Sequence, residues 1–356
     1  MTRIAAVHGA LAPHRYSQHE ITDMVARTCL PEGADRRVLD RLHGSARVTT
    51  RHTALPLDRY AGLKDFGAVN DAFIAAALPL GAEAVTGALD AAGLSPRDID
   101  FLMFTSVTGI AAPSVDARLV GRLGLRPDVR RVPVFGLGCV AGAAGIARLH
   151  DYLLGRPDDV AVLLSVELCS LTFQRDDLSP ANLVATALFG DGAAAVVACG
   201  ARRRAPADGT YAGPVVVDTR SHLYPDTEQV MGWDITGSGF RIVLDASVPD
   251  LVRKNLGADV DGLLADHGLT RGDITAWVCH PGGPKVLEAV EEVLDLPAGA
   301  LDVTWRSLAA VGNLSSSSVL HVLRDTLAER RPPPGSAGLL LAMGPGFCSE
   351  LVLLRW

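Results

Sequence analysis

Cys139 is the residue of this 356-residue chain whose type and position most clearly suggest a catalytic role. It follows the apolar run 132-VPVFGL-137 and precedes the helical pattern 142-GAAGIARLHDYLLG-155. Backbone N–H groups at a helix start favour a thiolate, and Gly138 permits a tight bend before it. The pattern predicts a nucleophile elbow with room for an acyl group, although an isolated cysteine is more often a small buried apolar residue.

Two further residues could assist such a thiol, which needs a base or a cation as a partner. His280 lies in 277-WVCHPGGPKV-286, directly after a predicted strand, and Asn313 lies in 311-VGNLSSSSVL-320. Taken singly, the histidine could be a surface or capping residue and the asparagine a helix N-cap. Together with the cysteine, their N–H groups could stabilise a negatively charged oxygen.

The elements that must position these residues alternate between short apolar runs and helical periodicities. The helical stretches include 142–155 and 286–294, where apolar residues recur at spacings of three and four. This alternation predicts an α/β fold with buried sheets. The predicted strands are 101–106, 132–137, 160–165, 192–198, 276–279 and 338–343.

An internal echo predicts that the fold is duplicated. Segments 91-AAGLSPRDIDFLMFTSVTG-109 and 266-DHGLTRGDITAWVCHPGG-283 share a pattern at an offset of 175 residues. Reduced by one, the same offset lays 138-GCVAGAAGI-146 over 312-GNLSSSSVL-320, and so Cys139 over Asn313. Since two segments keep nearly one register, we favour duplication over chance similarity of strand–turn–helix sequences. The predicted halves are 1–205, carrying the cysteine, and 206–356, carrying the histidine and asparagine, joined near the loop 201-ARRRAPADG-209.

Composition narrows the classes of function. A net charge of −7 argues against a nucleic-acid-binding protein, and the longest apolar runs noted, such as 338–343, are far too short to span a membrane. The N-terminus lacks the core of a signal peptide, and none of the six cysteines forms a CxxC pair. We therefore expect a cytoplasmic protein with reduced thiols.

Five motifs in order along the chain carry a family resemblance: the Cys139 elbow, 189-FGDGAAA-195, 280-HPGGP-284, 312-GNLSS-316 and 344-GPG-346. The chain resembles the bacterial type III polyketide synthases, the chalcone-synthase-like enzymes of the thiolase superfamily. The resemblance implies a thiolase-like duplicated αβαβα layered fold with mixed five-stranded sheets, and a homodimer.

The resemblance also implies a Cys-His-Asn triad that acts on coenzyme A thioesters. Cys139 would take an acyl starter from an acyl-CoA, while His280 and Asn313 would drive decarboxylation of malonyl-CoA and hold the enolate oxygen. Such an acyltransferase needs no metal, flavin or nicotinamide cofactor, and no motif for one is present in the sequence.

Other site residues are carried over by motif alone. The gatekeepers between the coenzyme A tunnel and the cavity match Phe189 and Phe240. Positions that shape the cavity match Val107, Thr108, Thr172, Met231 and Ser315, and the residue that reaches into the partner's cavity matches Ala112. Arg51 could contact the coenzyme A phosphates or be a solvated surface residue, and the loop of Gly344, Pro345 and Gly346 would line the cyclisation cavity.

The product is predicted from two small residues. Val107 and Ala112 would leave a long apolar cavity, which favours a fatty-acyl starter and an alkylpyrone or alkylresorcinol product. Bacterial tetrahydroxynaphthalene synthases carry an extra cysteine where Val107 stands, which counts against their product here. The loop 342-AMGPG-346 also departs from the family's GFGPG.

Two other functions stay open at this point. A ketoacyl-ACP synthase III-like enzyme shares the Cys-His-Asn set, but usually has Gln-Ala-Asn after the histidine, where this chain has Pro-Gly-Gly. A catalytically silent scaffold on the same fold is disfavoured by the intact set of three residues.

Overall fold

The structure, a computed structural model, describes residues 1–205, 211 and 213–356. The predicted boundary falls after residue 205, the last residue described before the gap, and residues 206–209 of the predicted joining loop lie outside the described residues. The division into halves at this point therefore stays a prediction. The strands are β1 (Thr2–Leu11), β2 (His14–Ser17), β3 (Thr50–Thr53), β4 (Phe101–Thr105), β5 (Arg130–Val134), β6 (Val160–Leu168), β7 (Asp191–Cys199), β8 (Val215–Leu223), β9 (Met231–Thr236), β10 (Gly239–Leu244), β11 (Ile274–Cys279), β12 (Ala337–Gly344) and β13 (Cys348–Arg355). The α-helices are α1 (Gln18–Cys29), α2 (Arg37–Ser45), α3 (Phe66–Ala92), α4 (Val115–Leu123), α5 (Ala141–Gly155), α6 (Pro180–Leu188), α7 (Val248–Ala265), α8 (Pro284–Leu294), α9 (Asp302–Val311) and α10 (Ser318–Glu329).

Nine strands of the described residues form one mixed sheet, in the order β11-β12-β13-β8-β1-β7-β6-β4-β5. The mixed sheets that the family resemblance implied are continuous here, since five strands of the first half join four of the second through β1 and β8. Thr2 pairs with Val216 and Arg3 with Val215. Pairing these two equivalent strands removes the exposed edge that each half-sheet would otherwise present.

The layers follow from where the apolar side chains lie. Strands β6 and β7 are buried along their whole length, so helices must cover both faces of the sheet. Helices α3 and α4 pack on the outer face of the first half, and α7 and α8 on that of the second. Helices α5 and α10 pack between the inner faces of both halves. The result is the αβαβα layering that the family resemblance implied.

Matching local structures confirm the duplication. Gly93 and Gly268 follow the equivalent helices α3 and α7, and both have the same positive φ of 65°. Each is followed by a 3-10 turn opened by a capping box, Pro96–Asp98 in the first half and Arg271–Asp273 in the second. A buried strand follows each turn. The shared pattern that predicted the repeat is therefore a repeated structure.

The register predicted for the two catalytic loops is wrong by three residues. Gly138, with φ of 57°, opens a 3-10 turn into α5, and Ser315, with φ of 49°, opens the equivalent turn into α10. Cys139 therefore corresponds to Ser316 and not to Asn313. The sequence comparison matched two glycines by type, but the second half places a serine at the positive-φ position and adds residues before it.

Helix α3 was overlooked in the sequence. Within the described residues, it alone is long and apolar enough to cross a membrane, with a mean hydropathy of 1.6 over its best window, 44% of which is buried. This is weak evidence for a membrane span, because a core helix gives the same signal. The buried side chains of α3, among them Phe73 and Val85, pack on the sheet.

Helix α5 meets the second half through its first turn, and this contact can be tested. A Cβ added at Gly142 would overlap the backbone oxygen of Ser316. We expect Gly142→Ala to lower the free energy of unfolding by about 1–3 kcal/mol, because a backbone atom cannot rotate away. Gly155→Ala, in open space at the other end of α5, should change it by less than about 1 kcal/mol. Urea denaturation of both variants measures the difference, and equal effects would contradict this packing.

Candidate active site

The three predicted catalytic residues meet in one cavity of about 870 Å³. Cys139 lies in the 3-10 turn before α5, His280 directly follows β11, and Asn313 follows α9. All three are buried and line the cavity wall. The structure brings these three residues together, because the duplicated halves place their loops at the same end of the layered core.

The thiol of Cys139 has one side-chain contact, in which its Sγ lies 3.7 Å from the Oγ of Ser315. Pro345 packs against Gly138, where a Cβ would overlap its ring, so the 344–346 loop lies directly beside the nucleophile. Burial raises the pKa of the Cys139 thiol to about 12. Desolvation disfavours the thiolate and therefore opposes the lowering of the pKa that the helix start was expected to give.

His280 is held by its backbone and leaves its ring free. Its N–H donates to the carbonyl oxygen of Leu341 at 2.9 Å, which fixes the residue to the end of β12. Neither ring nitrogen has a hydrogen-bond partner, and burial lowers the pKa of the imidazole to about 3. A neutral imidazole offers one donor and one acceptor. Both are available to a group bound in the cavity.

The carboxamide of Asn313 is oriented by three hydrogen bonds, of which the longest, at 3.5 Å, comes from the hydroxyl of Ser318. The Oδ1 of Asn313 accepts the N–H of Ser315 at 2.8 Å, so Asn313 also has the capping role that its sequence position suggested. Its Nδ2 donates to the carbonyl oxygen of Gly282 at 3.3 Å, in the turn that carries His280. The amide donor group is therefore tied to the turn that carries His280, and both residues line the same cavity.

The predicted gatekeepers differ in their places. Phe189 lines the cavity, but Phe240 lies behind the wall. The ring of Phe240 packs against those of Phe66, Phe135 and Trp233 at 5.2, 5.8 and 6.0 Å between centroids. Phe135 and Trp233 are the aromatic residues of this cluster that line the cavity. The sequence motif did not identify them, because neither lies in a segment that the resemblance carried.

The remaining predicted residues separate into three groups. Five line the cavity: Val107, Thr108, Met231, Ser315 and Pro345. Three flank it: Gly344 packs on the backbone nitrogens of Cys139 and Val140, Gly346 adjoins Pro345 at φ 137°, and Thr172 lines a second cavity of about 50 Å³ that shares Phe189. Ala112 is exposed and does not line the cavity of its own chain, so its predicted place in a partner's cavity stays a prediction.

The interpretation of Arg51 as a solvated surface arginine is wrong, because its side chain is only 3% exposed. Arg51 lines the second cavity of about 50 Å³ and not the larger one, and its contact with a coenzyme A phosphate stays a prediction. It donates to backbone carbonyl oxygens at the end of α6. The strand β3 that carries Arg51 packs inward, which its short polar sequence did not indicate.

Glu167 is a buried carboxyl group that the sequence analysis missed. It accepts hydrogen bonds from the hydroxyls of Ser316 and Thr108 and from the N–H of Val107. It thereby ties the loop after β4 to the loop that carries Ser315. One acidic residue in the otherwise apolar run 160-VAVLLSVEL-168 was the signal that could have revealed it.

The thiols and acidic groups give no other centre in the residues that the structure describes. All six cysteines are free, and Cys169 also lines the cavity. No group of three or more His, Cys, Asp or Glu side chains in that part of the chain is placed to hold a metal ion.

Family models describe both halves of the chain. Residues 2–202 match the chalcone and stilbene synthases, N-terminal domain, and residues 216–356 match the C-terminal domain. The chain belongs to the chalcone and stilbene synthase family. It is a type III polyketide synthase, an acyltransferase that performs decarboxylative condensation, and not a ketoacyl-ACP synthase III.

Particular relatives are similar over the whole length. The chain is 64% identical to a 1,3,6,8-tetrahydroxynaphthalene synthase of Streptomyces peucetius subsp. caesius, over 100% of this chain and 93% of that one. The crystal structure of the 1,3,6,8-tetrahydroxynaphthalene synthase of Streptomyces coelicolor superposes with a TM-score of 0.92 at 29% identity, covering 99% of both chains. PKS-I of the brown alga Ectocarpus siliculosus gives 0.91 at 29% identity, covering 99% and 98%.

The buried Glu167 should make stability depend on pH. Burial raises its pKa from 4.5 to about 7, so the folded state favours the protonated form. The stability that this provides is complete below about pH 4.5 and is lost as the pH rises through about 7. Over that window we expect the wild type to lose up to about 3 kcal/mol of unfolding free energy relative to Glu167→Gln.

Urea denaturation of both proteins between pH 4.5 and 8 measures this difference, with Glu32→Gln, at an exposed position, as the matched control. A difference between wild type and Glu167→Gln that stays constant with pH would show that the buried carboxyl group is not perturbed.

Proposed function

We propose that this protein builds a polyhydroxynaphthalene, most simply 1,3,6,8-tetrahydroxynaphthalene, from malonyl-CoA. The observation that carries the proposal is the 64% identity, over the whole chain, to the Streptomyces peucetius enzyme of that name. That product has oxygens on alternate carbons, which is the pattern left by repeated two-carbon extension. The sequence prediction of an alkylpyrone or alkylresorcinol is not confirmed.

Loading begins at Cys139. Its sulfur attacks the thioester carbonyl of the starter, the carbon–sulfur bond to coenzyme A breaks, and an acyl-Cys139 thioester forms. The free ring nitrogens of His280 are the available acceptor for the thiol proton, which leaves with the coenzyme A thiol. No further cofactor enters this step, so coenzyme A thioesters are the substrates and no resident cofactor is proposed.

Extension uses the other two residues. Malonyl-CoA loses its carboxylate as CO₂, and the electron pair of that bond forms an enolate. N–H groups of His280 and Asn313 stabilise the enolate oxygen, which is the preorganised donor arrangement that speeds such steps. The enolate carbon then attacks the acyl-Cys139 carbonyl, releases the thiol and lengthens the chain by two carbons.

Charges at the mouth suit a coenzyme A substrate. Arg47 and Lys285 line the cavity, and the side chain of Arg47 is 58% exposed and forms an ion pair with Glu288, which lines the same cavity. Both cations are candidates for the phosphate contact that was predicted for Arg51. The inner wall is mostly apolar, as a growing polyketide requires.

We also propose a homodimer in the cytoplasm. Strand β5 is an exposed edge of the sheet, and Ile110, Val132 and Phe135 near it are 46%, 43% and 45% exposed. Apolar side chains beside an open strand edge favour pairing with another copy. Ala112 lies on the same surface loop as Ile110, which supports its predicted place near a partner's cavity.

A fatty-acyl starter is the second candidate, because one residue favours it. Val107 lines the cavity with an apolar side chain where the family's tetrahydroxynaphthalene synthases have a cysteine. Cys169, however, supplies a thiol to the same cavity from the end of β6. The loss of a cysteine at position 107 therefore does not leave the cavity without a second thiol.

The product assay separates the two candidates. We expect the purified protein with malonyl-CoA alone to give tetrahydroxynaphthalene or its oxidised quinone, identified by mass spectrometry. Fatty-acyl-CoA starters of graded length should not be needed. Products that appear only with such starters, with masses that follow their length, would instead establish the alkylpyrone or alkylresorcinol function, and strict dependence on malonyl-ACP would refute both.

Single substitutions should separate loading from decarboxylation. Cys139→Ala should abolish product but still release CO₂ from malonyl-CoA, since the donors for the enolate remain. His280→Ala and Asn313→Ala should each slow CO₂ release by about 10²–10³-fold, the usual cost of losing one oxyanion donor. Radiolabelled CO₂ release and product formation are measured together. Product formation by Cys139→Ala would disprove the covalent step.

A further inference from the structure

The end of helix α6 links the cavity wall to a catalytic residue. Phe189 lines the cavity directly after α6. On either side of it, the N–H of Asn313 donates to the carbonyl oxygen of Leu188 at 2.8 Å, and the N–H of Gly190 donates to the carbonyl oxygen of Asn313 at 3.0 Å. The backbone of Asn313 is therefore positioned by the segment that carries Phe189.

Arg51 holds this segment from behind. Its Nη1 donates to the carbonyl oxygens of Thr186 and Phe189, the latter at 3.0 Å. Carbonyl groups at the end of a helix have no partner within the helix and carry its negative partial charge. A guanidinium is thus a suitable group to satisfy two of them at once.

The aliphatic part of the Arg51 side chain also packs against the backbone segment that carries Asn313. The Cγ and Cδ of Arg51 lie 3.2 Å from the point where a Cβ at Gly312 would be, and Gly312 has φ of 75°. Gly312 is the residue before Asn313. Arg51 therefore contacts both backbone segments whose hydrogen bonds place the carboxamide.

The buried carboxyl group of Asp191 acts on the charge of Arg51 without forming an ion pair with it. Both residues are buried, and Asp191 accepts hydrogen bonds from the N–H groups of Ala54 and Ser170 at 2.6 and 2.7 Å. Burial lowers the pKa of Arg51 to about 9, while the carboxylate opposes that shift. A buried guanidinium costs free energy to desolvate, so its retention points to a task beyond packing.

We propose that Arg51 is a positioning residue for the condensation reaction, acting through the backbone of the 186–190 segment on both Asn313 and Phe189. In this role it contacts no substrate. Losing it should impair the step that depends on Asn313 and leave the reactivity of Cys139 unchanged, because Cys139 lies in the turn before α5, apart from the 186–190 segment that Arg51 holds. The inference rests on the proposed role of Asn313 in decarboxylation.

The test measures two reactions in each variant: CO₂ release from malonyl-CoA, and alkylation of Cys139 by iodoacetamide, located by mass spectrometry. For Arg51→Met we expect CO₂ release to fall by about tenfold to a hundredfold, as for a small displacement of a catalytic group, with the alkylation rate within about twofold of wild type. Arg51→Lys keeps the positive charge but not the planar guanidinium, and it should recover part of the lost rate of CO₂ release.

Arg15→Met is the matched control, since Arg15 is exposed on the neighbouring strand β2, and both rates should stay at the wild-type level. Unchanged CO₂ release in Arg51→Met overturns the proposal, and so does an equal fall of both rates, which would indicate a general structural role. If Arg51→Met does not fold, Arg51→Lys decides by the same criterion. Asn313→Ala runs in parallel: CO₂ release at the wild-type rate in that variant would refute the proposed function, independently of Arg51.

Discussion

The site depends on a contact between backbones, in which Gly142 at the start of α5 lies against the carbonyl oxygen of Ser316. No side chain separates the two halves at this point, so the two 3-10 turns that open α5 and α10 come as close as main chains can. Cys139 lies in one turn and Ser315 in the other, which explains their contact. The geometry of the cavity thus follows from two helices packed through small residues between two half-sheets.

Buried polar groups then fix the loops around this contact. Glu167 joins the loop after β4 to the turn before α10, Arg51 holds the end of α6, and Asp191 binds the N–H groups of Ala54 and Ser170. Each of these groups has hydrogen bonds that offset part of its desolvation. Arg51 keeps two nitrogens, Nε and Nη2, without a partner, and His280 keeps both of its ring nitrogens without one. An unsatisfied buried imidazole is costly to the fold and is explained by the enolate oxygen it would bind.

Much of this was predictable where the sequence has a strong period or an unusual residue. The apolar runs at 160–165 and 192–198 predicted β6 and β7, and the motifs around Cys139, His280 and Asn313 predicted one site. Strand β1 was missed because TRIAAVHGAL mixes small and polar residues and has no clear strand pattern. Pairing with its neighbouring strands holds it in the sheet. The burial of Arg51 and the place of Phe240 behind the wall depend on tertiary packing, which neither motif nor spacing encodes.

The joint between β1 and β8 has a consequence for how the chain acquires its structure. Among the described residues, strand β1 pairs with β7 and β8, which begin at Asp191 and Val215. The long segment between β1 and Asp191 must therefore leave the ribosome before β1 finds a neighbouring strand. Contacts between such distant residues slow folding and leave unpaired strand edges exposed in the meantime. Strand β1 is thus among the last strands to be secured, and it closes the seam between the two halves.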